Sequence, residues 1–421
     1  MLTATPKTIP MNLYATIILV ALVLEFVVNR IGDFLNLRSL NPELPSEFAE
    51  TYDGEKYANS QDYTRATTRF RMVEATFSLG LTLVFWLGGG FTWLDEFSRG
   101  LEKGPIVTGL IFMLILMVAL KLLNLPFQLW STFKIEERFG FNRMTPKTFW
   151  SDQFKGIVLG GILGGGLMSA ILFFFVKTGD VAWLWCWGTT TIVTLVGMFI
   201  APTWIMPLFN KFTKLDEGEL RDEILEYANK VSFPLEGLFV IDGSKRSSKA
   251  NAFFTGFGKT KRIALYDTLI EAQSTDELVA VVAHEIGHYK RKHILKSLVI
   301  GILHFGVMFG LLSIFLKDQR LFDAFGVAEP SVHAGLIFFS MLLTPVELVL
   351  SVLMSYISRK NEFEADAFAA QTTGQPEDLV TALKKLSSDN LSNLTPHDFY
   401  VWLHYSHPPV LRRIAALRAI G

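Results

Sequence analysis

The sequence predicts a mainly α-helical, polytopic membrane protein, on the evidence of its composition and its apolar segments. Of the 421 residues, 50% are hydrophobic and only 19% are charged, and the mean hydropathy is +0.34. These values are typical of a chain that faces lipid, not of a soluble protein of two or three domains. The net charge of -1 provides no overall positive field for nucleic acid, so we expect no nucleic-acid partner.

The apolar segments predict about seven membrane spans. Each segment approaches the ~20 residues that a helix needs to cross a bilayer. The predicted spans are residues 12–29, 72–94, 105–129, 156–177, 181–206, 294–316 and 333–356. Lys and Arg are concentrated in alternate loops, namely those after the first, third and fifth spans, and in the tail. The positive-inside rule therefore predicts an external N-terminus and a cytoplasmic C-terminus.

The spans divide the chain into four parts. Residues 1–206 contain five predicted spans with their loops, 207–293 form a cytoplasmic segment, 294–357 form a two-span hairpin, and 358–421 form a cytoplasmic tail. In the fourth span, Gly156, Gly160 and Gly164 recur every four residues, as do Gly161 and Gly165. Small residues at this spacing predict close helix packing.

The cytoplasmic segment predicts a small mixed unit of helix and strand. Residues 217–231 have the periodicity of an amphipathic helix that ends before Pro234. Residues 238–241 and 262–266 have the composition of short strands, and 251–254 that of an extended edge strand.

A His-Glu-x-x-His motif follows these strands. His284 and His288 are four residues apart, so on a helix they lie on one face. Two imidazoles at this spacing can share one zinc ion at ~2.0–2.1 Å, with Glu285 beside it. Ser274 or Thr275 is the expected helix cap. The alternative is a chance motif on an amphipathic helix, and a third ligand is needed to decide between them.

The predicted topology supplies a candidate third ligand. Because the last two spans form a hairpin, residues 293 and 357 emerge on the same side of the membrane, and Glu362 and Asp366 follow directly. These two carboxylates are four residues apart and share a helical face. One can bind the metal while the other accepts a hydrogen bond from a ligating imidazole. The alternative is an ordinary solvated start of a charged helix.

Several segments, taken in order, resemble the type I CAAX prenyl endopeptidase family of integral-membrane zinc metalloproteases. The resemblance covers most of the chain and rests on residues 132–142, 205–210, 241–248, 251–252, 277–293, 362–366 and 407–408. It implies a barrel of about seven long helices around a water-filled chamber, with the active site at the cytoplasmic end. Its members cleave near the C-terminus of prenylated CAAX proteins in eukaryotes.

The resemblance also implies roles for the residues of the two motifs. His284, His288 and Glu362 correspond to the ligands of one zinc ion per chain, and Glu285 corresponds to the general base. Asp366 matches the carboxylate that supports a ligand. A zinc-bound water has a pKa of about 7, so Glu285 can take its proton and deliver it to the leaving amine.

Other matched positions concern the substrate. Asn251 and Ala252 match the edge strand that holds the substrate backbone, and His407 matches the residue beside the scissile carbonyl. We expect His407 to donate a hydrogen bond to the developing oxyanion, although by itself it could be a surface histidine in a turn. Arg413 falls where the family has an arginine after its His-Pro. The family's usual His-Ser-Asn-Ala-Tyr run is Lys-Ala-Asn-Ala-Phe here, at 249–253.

Two other functions are compatible with part of the pattern. A transporter would also have many spans, but it predicts internal repeats in hydropathy, and none is evident. A membrane chaperone or scaffold with structural zinc would need no carboxylate such as Glu285 beside the ligands. The favoured partners are a peptide or protein substrate, prenylated or not, and the lipid bilayer. The short tail suggests a bacterial inner-membrane protein; a eukaryotic member would lie in the endoplasmic reticulum membrane.

Overall fold

The computed structural model describes residues 11–255 and 261–420, and most of these residues are helical, as predicted. Polar side chains fix several helix starts: Asn12, Asp53 and Thr145 each accept a hydrogen bond from the amide three residues further on. The helices are α1 (Leu13–Arg38), α2 (Gly54–Leu87), α3 (Gly90–Arg99), α4 (Pro105–Trp130), α5 (Pro146–Lys177), α6 (Ala182–Ile200), α7 (Met206–Phe209), α8 (Glu219–Lys230), α9 (Asp267–Ala272), α10 (Thr275–Lys290), α11 (His293–Phe315), α12 (Gln319–Asp323), α13 (Val332–Leu342), α14 (Thr344–Thr373), α15 (Pro376–Asp389), α16 (Asp398–His404) and α17 (Val410–Arg418).

The prediction of about seven spans is confirmed. Among the described residues, six continuous helical segments are long and apolar enough to cross a membrane. Helices α13 and α14 meet the same criteria together, as a pair bent by 59°, which gives up to seven spans. The bend lies at Leu343, just before Pro345 in the first turn of α14. Proline lacks the amide that would continue the hydrogen bonding of α13, which accounts for the break. Two spans continue through π-helical turns, α4 through Ser131–Glu136 and α6 through Ala201–Ile205.

The second span differs from its predicted bounds of 72–94. Helix α2 begins at Gly54 and ends at Leu87, and Gly89, with φ of +78°, separates it from α3. With 34 residues, α2 is about 51 Å long, which exceeds the ~30 Å hydrocarbon core. Its polar first half therefore projects beyond the membrane. Hydropathy marks only the apolar part of such a helix.

A four-stranded sheet lies between the fifth and sixth spans in sequence. Its strands are β1 (Phe212–Lys214), β2 (Leu235–Ile241), β3 (Ala252–Thr255) and β4 (Lys261–Tyr266), in the order β1-β2-β4-β3. Strands β2 and β4 are parallel, whereas β1 and β3 are antiparallel to their neighbours. The predicted strands and the amphipathic helix α8 are confirmed, and β3 is an edge strand as expected. Strand β1, of three residues, was not predicted.

Buried apolar side chains cluster at two opposite ends of the spans. One cluster joins the sheet to α8, α10, α15 and α17, which together we call the sheet domain. The other joins one end of α1, α2 and α4 to α3, α12 and α13. Between them, no more than 22% of the apolar window of any single-helix span is buried among the described residues. A solid bundle would bury one face of each helix, so the spans form the hollow barrel that the resemblance implies.

The expectation that the glycines of the fourth span serve close packing is wrong. A Cβ atom added at Gly156, Gly160, Gly161, Gly164 or Gly165 would meet no described atom within 4 Å. These glycines lie on open faces of α5, so the spacing that suggested a helix interface is not used for one within the described chain.

A close crossing between helices does occur at Gly287, where α10 passes over α14. A Cβ atom at this position would lie 3.0 Å from the carbonyl oxygen of Ala365 and 3.1 Å from its Cα. Both neighbours are backbone atoms, which cannot move aside as a flexible side chain can. The absence of a side chain at Gly287 therefore sets the distance between the two helices.

We expect the Gly287→Ala substitution to destabilise the protein by about 1–3 kcal/mol, because the added methyl group overpacks this crossing. The measurement is the unfolding temperature of the full chain in detergent. Gly301→Ala is the matched control, since a Cβ atom there meets no described atom within 4 Å and alanine is the better helix former. An unfolding temperature of Gly287→Ala equal to that of the control would contradict the prediction.

Candidate active site

Helix α10 carries the His-Glu-x-x-His motif and is firmly fixed at its start. Ser274 caps the helix, as predicted, and forms a capping box in which the Ser274 amide donates to Glu277 Oε2 at 2.8 Å. Lys385 of α15 also binds Glu277, at 2.7 Å. Val282 and Ile286 are fully buried on the core side of the helix. The histidine face is therefore oriented by contacts on the other faces of the helix.

Helix α14 brings a carboxylate to this face, as the predicted hairpin requires. His284 Nε2 lies 3.2 Å from His288 Nε2. Glu362 Oε2 lies 3.5 Å from His284 Nε2, and Glu362 Oε1 lies 3.3 Å from His288 Nε2. Tetrahedral ligands at ~2.0–2.1 Å from zinc are separated by roughly 3.3 Å. The three side chains therefore have the spacing of a tetrahedral metal site with one position left free.

The chemistry of these groups also fits a cation. Buried Glu362 Oε2 has no hydrogen-bond donor among the described residues, which is unfavourable for a carboxylate oxygen unless a cation binds it. Burial alone would lower the pKa of His284, but the adjacent carboxylates of Asp366 and Glu362 raise it to about 9. The pocket thus favours positive charge at this point, from a proton or from a metal ion.

Asp366 supports the first histidine. Its Oδ1 lies 2.8 Å from His284 Nδ1, so the Nδ1 hydrogen is donated to the carboxylate and the Nε2 lone pair faces the cluster. Buried Arg413 holds the same carboxylate by two hydrogen bonds, from Nε at 2.8 Å and from Nη2 at 2.6 Å. Arg413 Nη1 also lies 3.5 Å from Glu362 Oε2. Arg413 thus contacts the supporting carboxylate and not open solvent.

Glu285 lies beside the cluster and is half-buried. Burial raises the pKa of its carboxyl, while the neighbouring His284 and His288 lower it, and the net shift is upward. A carboxylate with a raised pKa is a better proton acceptor than one in water. This position suits proton transfer at the metal site.

A cavity of about 220 Å³ brings most of the predicted residues together. It is lined by three groups: the motif residues, the edge of β3, and an apolar wall from α15. The lining includes His284, Glu285, Glu362, Asn251, Ala252, His407, Arg413, Leu379, Leu383 and Asn390. His288 and Asp366 are not among its lining residues, although both contact residues that are. Every predicted site residue is therefore at this cavity or in contact with it.

His407 lies at the open side of the cavity. Its side chain is 65% exposed, and its Nε2 lies 3.5 Å from Glu362 Oε1. Its Nδ1 lies 2.9 Å from Ser406 Oγ. The guanidinium of Arg359 donates to the carbonyl of Tyr405 at 2.6 Å and so ties this loop to α14. His407 is thus both accessible to a ligand and held near the metal-site carboxylate.

The sequence did not indicate the residues that place the edge strand. The Asn390 side chain accepts a hydrogen bond from the Ala250 amide at 3.3 Å, next to β3. Lys249 Nζ binds Glu136 Oε2 at 2.9 Å and the Tyr63 hydroxyl at 2.7 Å. The only signal was Lys249 itself, which stands where the resembled family has histidine. Its partners are distant in sequence, so no local pattern shows them.

Comparison with known proteins agrees with this geometry. Residues 33–211 match a family profile described as CAAX prenyl protease N-terminal, five membrane helices, and residues 214–421 match peptidase family M48. The chain is 37% identical over 413 residues to a CAAX prenyl protease 1 homolog of rice, covering 96% of this chain and 97% of that one. It is 35% identical to CAAX prenyl protease 1 of Saccharomyces cerevisiae, covering 89% and 88%.

A solved structure is similar over nearly the whole molecule. The crystal structure of S. mikatae Ste24p matches with a TM-score of 0.89 and 34% identity, covering 98% of this chain and 100% of that chain. Fold and site together define a polytopic membrane metalloendopeptidase. The chain belongs to peptidase family M48. The transporter and scaffold alternatives are not favoured.

We expect Arg413→Lys to weaken metal binding by about 10–100-fold, the usual effect of disturbing a group that orients a ligand. Lysine keeps the charge but cannot hold Asp366 by two parallel hydrogen bonds. The measurement is the zinc dissociation constant from chelator competition in detergent. Arg412→Lys is the control, because Arg412 is exposed and pairs with Asp398 away from the site. Equal zinc affinities for the two variants would show that the paired hydrogen bonds of Arg413 to Asp366 do not contribute to metal binding.

Proposed function

We propose that this chain is a zinc endopeptidase that cleaves prenylated CAAX-type proteins near their C-terminus. The observation that supports it best is the set of three Nε2 and carboxylate contacts of 3.2–3.5 Å, next to a half-buried glutamate. The names of the rice and yeast relatives support the choice of substrate class. The metal would be zinc, since two histidines and a carboxylate are typical ligands of catalytic zinc.

In this proposal, His284, His288 and Glu362 hold the zinc ion, and Asp366 keeps His284 in the correct tautomer. When bound, zinc supplies Lewis acidity, which polarises the scissile carbonyl and lowers the pKa of an attacking water. Glu285 accepts the proton of that water and delivers it to the leaving amine. The chain's own contribution is thus to orient the ligands and to move one proton.

The remaining site residues, with the exception of Arg413, bind the substrate. A peptide that adds to the free edge of β3 would pair its backbone with Asn251 and Ala252, a mode that selects extended chains more than particular side chains. His407 donates from its imidazole to the oxyanion that develops on the carbonyl. Leu379 and Leu383 offer an apolar wall for a side chain beside the cleaved bond. Arg413 acts through Asp366.

We place the site on the cytoplasmic side of the membrane, because the positively charged loops and the sheet domain lie on the same side of the spans. In this proposal the chain has the four functional parts predicted from the sequence. They are the first five spans at 1–206, the segment with the strands and the zinc helix at 207–293, the two-span hairpin at 294–357 and the tail at 358–421. The membrane is a bacterial inner membrane, or that of the endoplasmic reticulum in a eukaryotic cell.

The central test is Glu285→Gln. We expect this variant to retain about one zinc per chain, because the three ligands are unchanged, but to lose roughly 10²–10⁴-fold in turnover, because an amide cannot accept the proton. Peptide cleavage and zinc content are measured on the same detergent-purified sample. Glu271→Gln, on the exposed surface of α9, is the control. Full turnover by Glu285→Gln would refute the assignment.

The substrate class has its own test, with peptides that differ only at the CAAX cysteine. We expect a farnesylated peptide to show a KM at least about tenfold below that of the S-methyl peptide, because the long apolar chain partitions from water. Similar kcat values are expected, since the attacked carbonyl and the residues proposed to act on it are the same for both peptides. The same kcat/KM for both peptides would support a peptidase without a prenyl requirement.

A further inference from the structure

We infer that His293 and Glu364 are positioning residues for the metal site, which hold His288 in the tautomer that presents Nε2 to the cation. This inference rests on the proposed zinc site. The proposed ligand set leaves the far nitrogen of His288 without an assigned partner. The structure supplies that partner through two side chains.

Three groups form a continuous series of contacts behind His288. His288 Nδ1 lies 3.1 Å from His293 Nδ1, and His293 Nε2 lies 3.1 Å from Glu364 Oε2. His293 is only 3% exposed, whereas the Glu364 side chain is 35% exposed, so the two contacts join the buried ligand to a partly exposed carboxylate. His293 faces the opposite edge of the His288 ring from the ligand cluster and is therefore a support, not a fourth ligand.

Only one arrangement of hydrogens allows His288 to bind a cation. Its Nε2 must offer a lone pair to the cluster, so its hydrogen must be on Nδ1. That hydrogen is donated to His293 Nδ1, which must then be the acceptor. The hydrogen of His293 is consequently on Nε2, where Glu364 accepts it. If Glu364 could not accept, His293 would be free to donate to His288 and place the wrong nitrogen toward the metal.

The chain brings these residues together by two local features. Lys292, with φ of +59°, forms a tight left-handed turn between α10 and α11, and His293 follows it directly. Glu364 lies two residues after Glu362 on α14, about 200° further round the helix, and so contacts His293 instead of the ligand cluster. The result parallels the other ligand: Asp366 supports His284 directly, and Glu364 supports His288 through His293. A carboxylate behind a ligating histidine raises its basicity and fixes its orientation.

The test compares near-isosteric replacements of His293. In His293→Leu the acceptor is lost, whereas in His293→Asn the side-chain oxygen occupies about the place of Nδ1 and can accept from His288. We expect the zinc dissociation constant of the full chain in detergent to rise about 10–100-fold for leucine. Asparagine should recover most of that loss. A role in packing alone would instead favour leucine, the better apolar filler.

Two further variants make the result decisive if His293→Leu folds poorly. Glu364→Ala should raise the zinc dissociation constant, because His293 loses its anchor. Lys360→Gln, which removes a charge 3.9 Å from Glu364 on the same helix, should not. Wild-type zinc affinity in Glu364→Ala, or affinity in His293→Leu at or above that of His293→Asn, would overturn the inference. A wild-type chain that binds no zinc would overturn the proposed function itself.

Discussion

The close crossing of α10 and α14 is the contact on which the site depends. Two of the three candidate ligands, the histidines, are on one helix, and the third, the carboxylate of Glu362, is on the other. A membrane hairpin separates them in sequence. Backbone approaches backbone at Gly287 and Ala365, with no side chain between them. Because α10 is buried against the rest of the sheet domain, it cannot retreat from α14. The packing of the two helices, and not the ligands themselves, thus sets the interhelical distance at which one cation can bind side chains from both.

The same stretch of α14 concentrates negative charge in an unusual way. Glu362, Glu364 and Asp366 occur within five residues, and the first and last are almost fully buried. Buried carboxylates are costly unless they are paired and hydrogen-bonded. Arg413 and His284 satisfy Asp366, and His293 satisfies Glu364, whereas one oxygen of Glu362 is left without a donor among the described residues. The carboxylate oxygen that lacks a hydrogen-bond donor is therefore at the position where a metal ion would bind.

Most of this arrangement was predictable because each element has a strong local signal. Hydropathy predicted the spans, the hairpin placed Glu362 on the side of the histidines, and the composition of two short runs predicted β2 and β4. The failures have physical reasons. A polar helix end carries no hydropathy signal, so α2 was placed too late, and the glycine spacing at 156–165 predicts packing whether or not a partner helix is present. Contacts such as those of His293 depend on a turn at Lys292 and on a distant helix.

The segment that leads into β3 is held by the spans as well as by the sheet. Arg246 binds Asp152 of α5 with two hydrogen bonds of 2.8 and 3.0 Å, and Lys249 binds Glu136 at the end of α4. A backbone bridge between Asn142 and Ser247 adds a third link. The edge strand is consequently fixed in height relative to the membrane helices. A peptide that pairs with this edge, as proposed, would be presented to Glu285 at a set distance from the bilayer. The same membrane helices would therefore determine both how deep a lipid-anchored substrate lies and where its backbone meets the site.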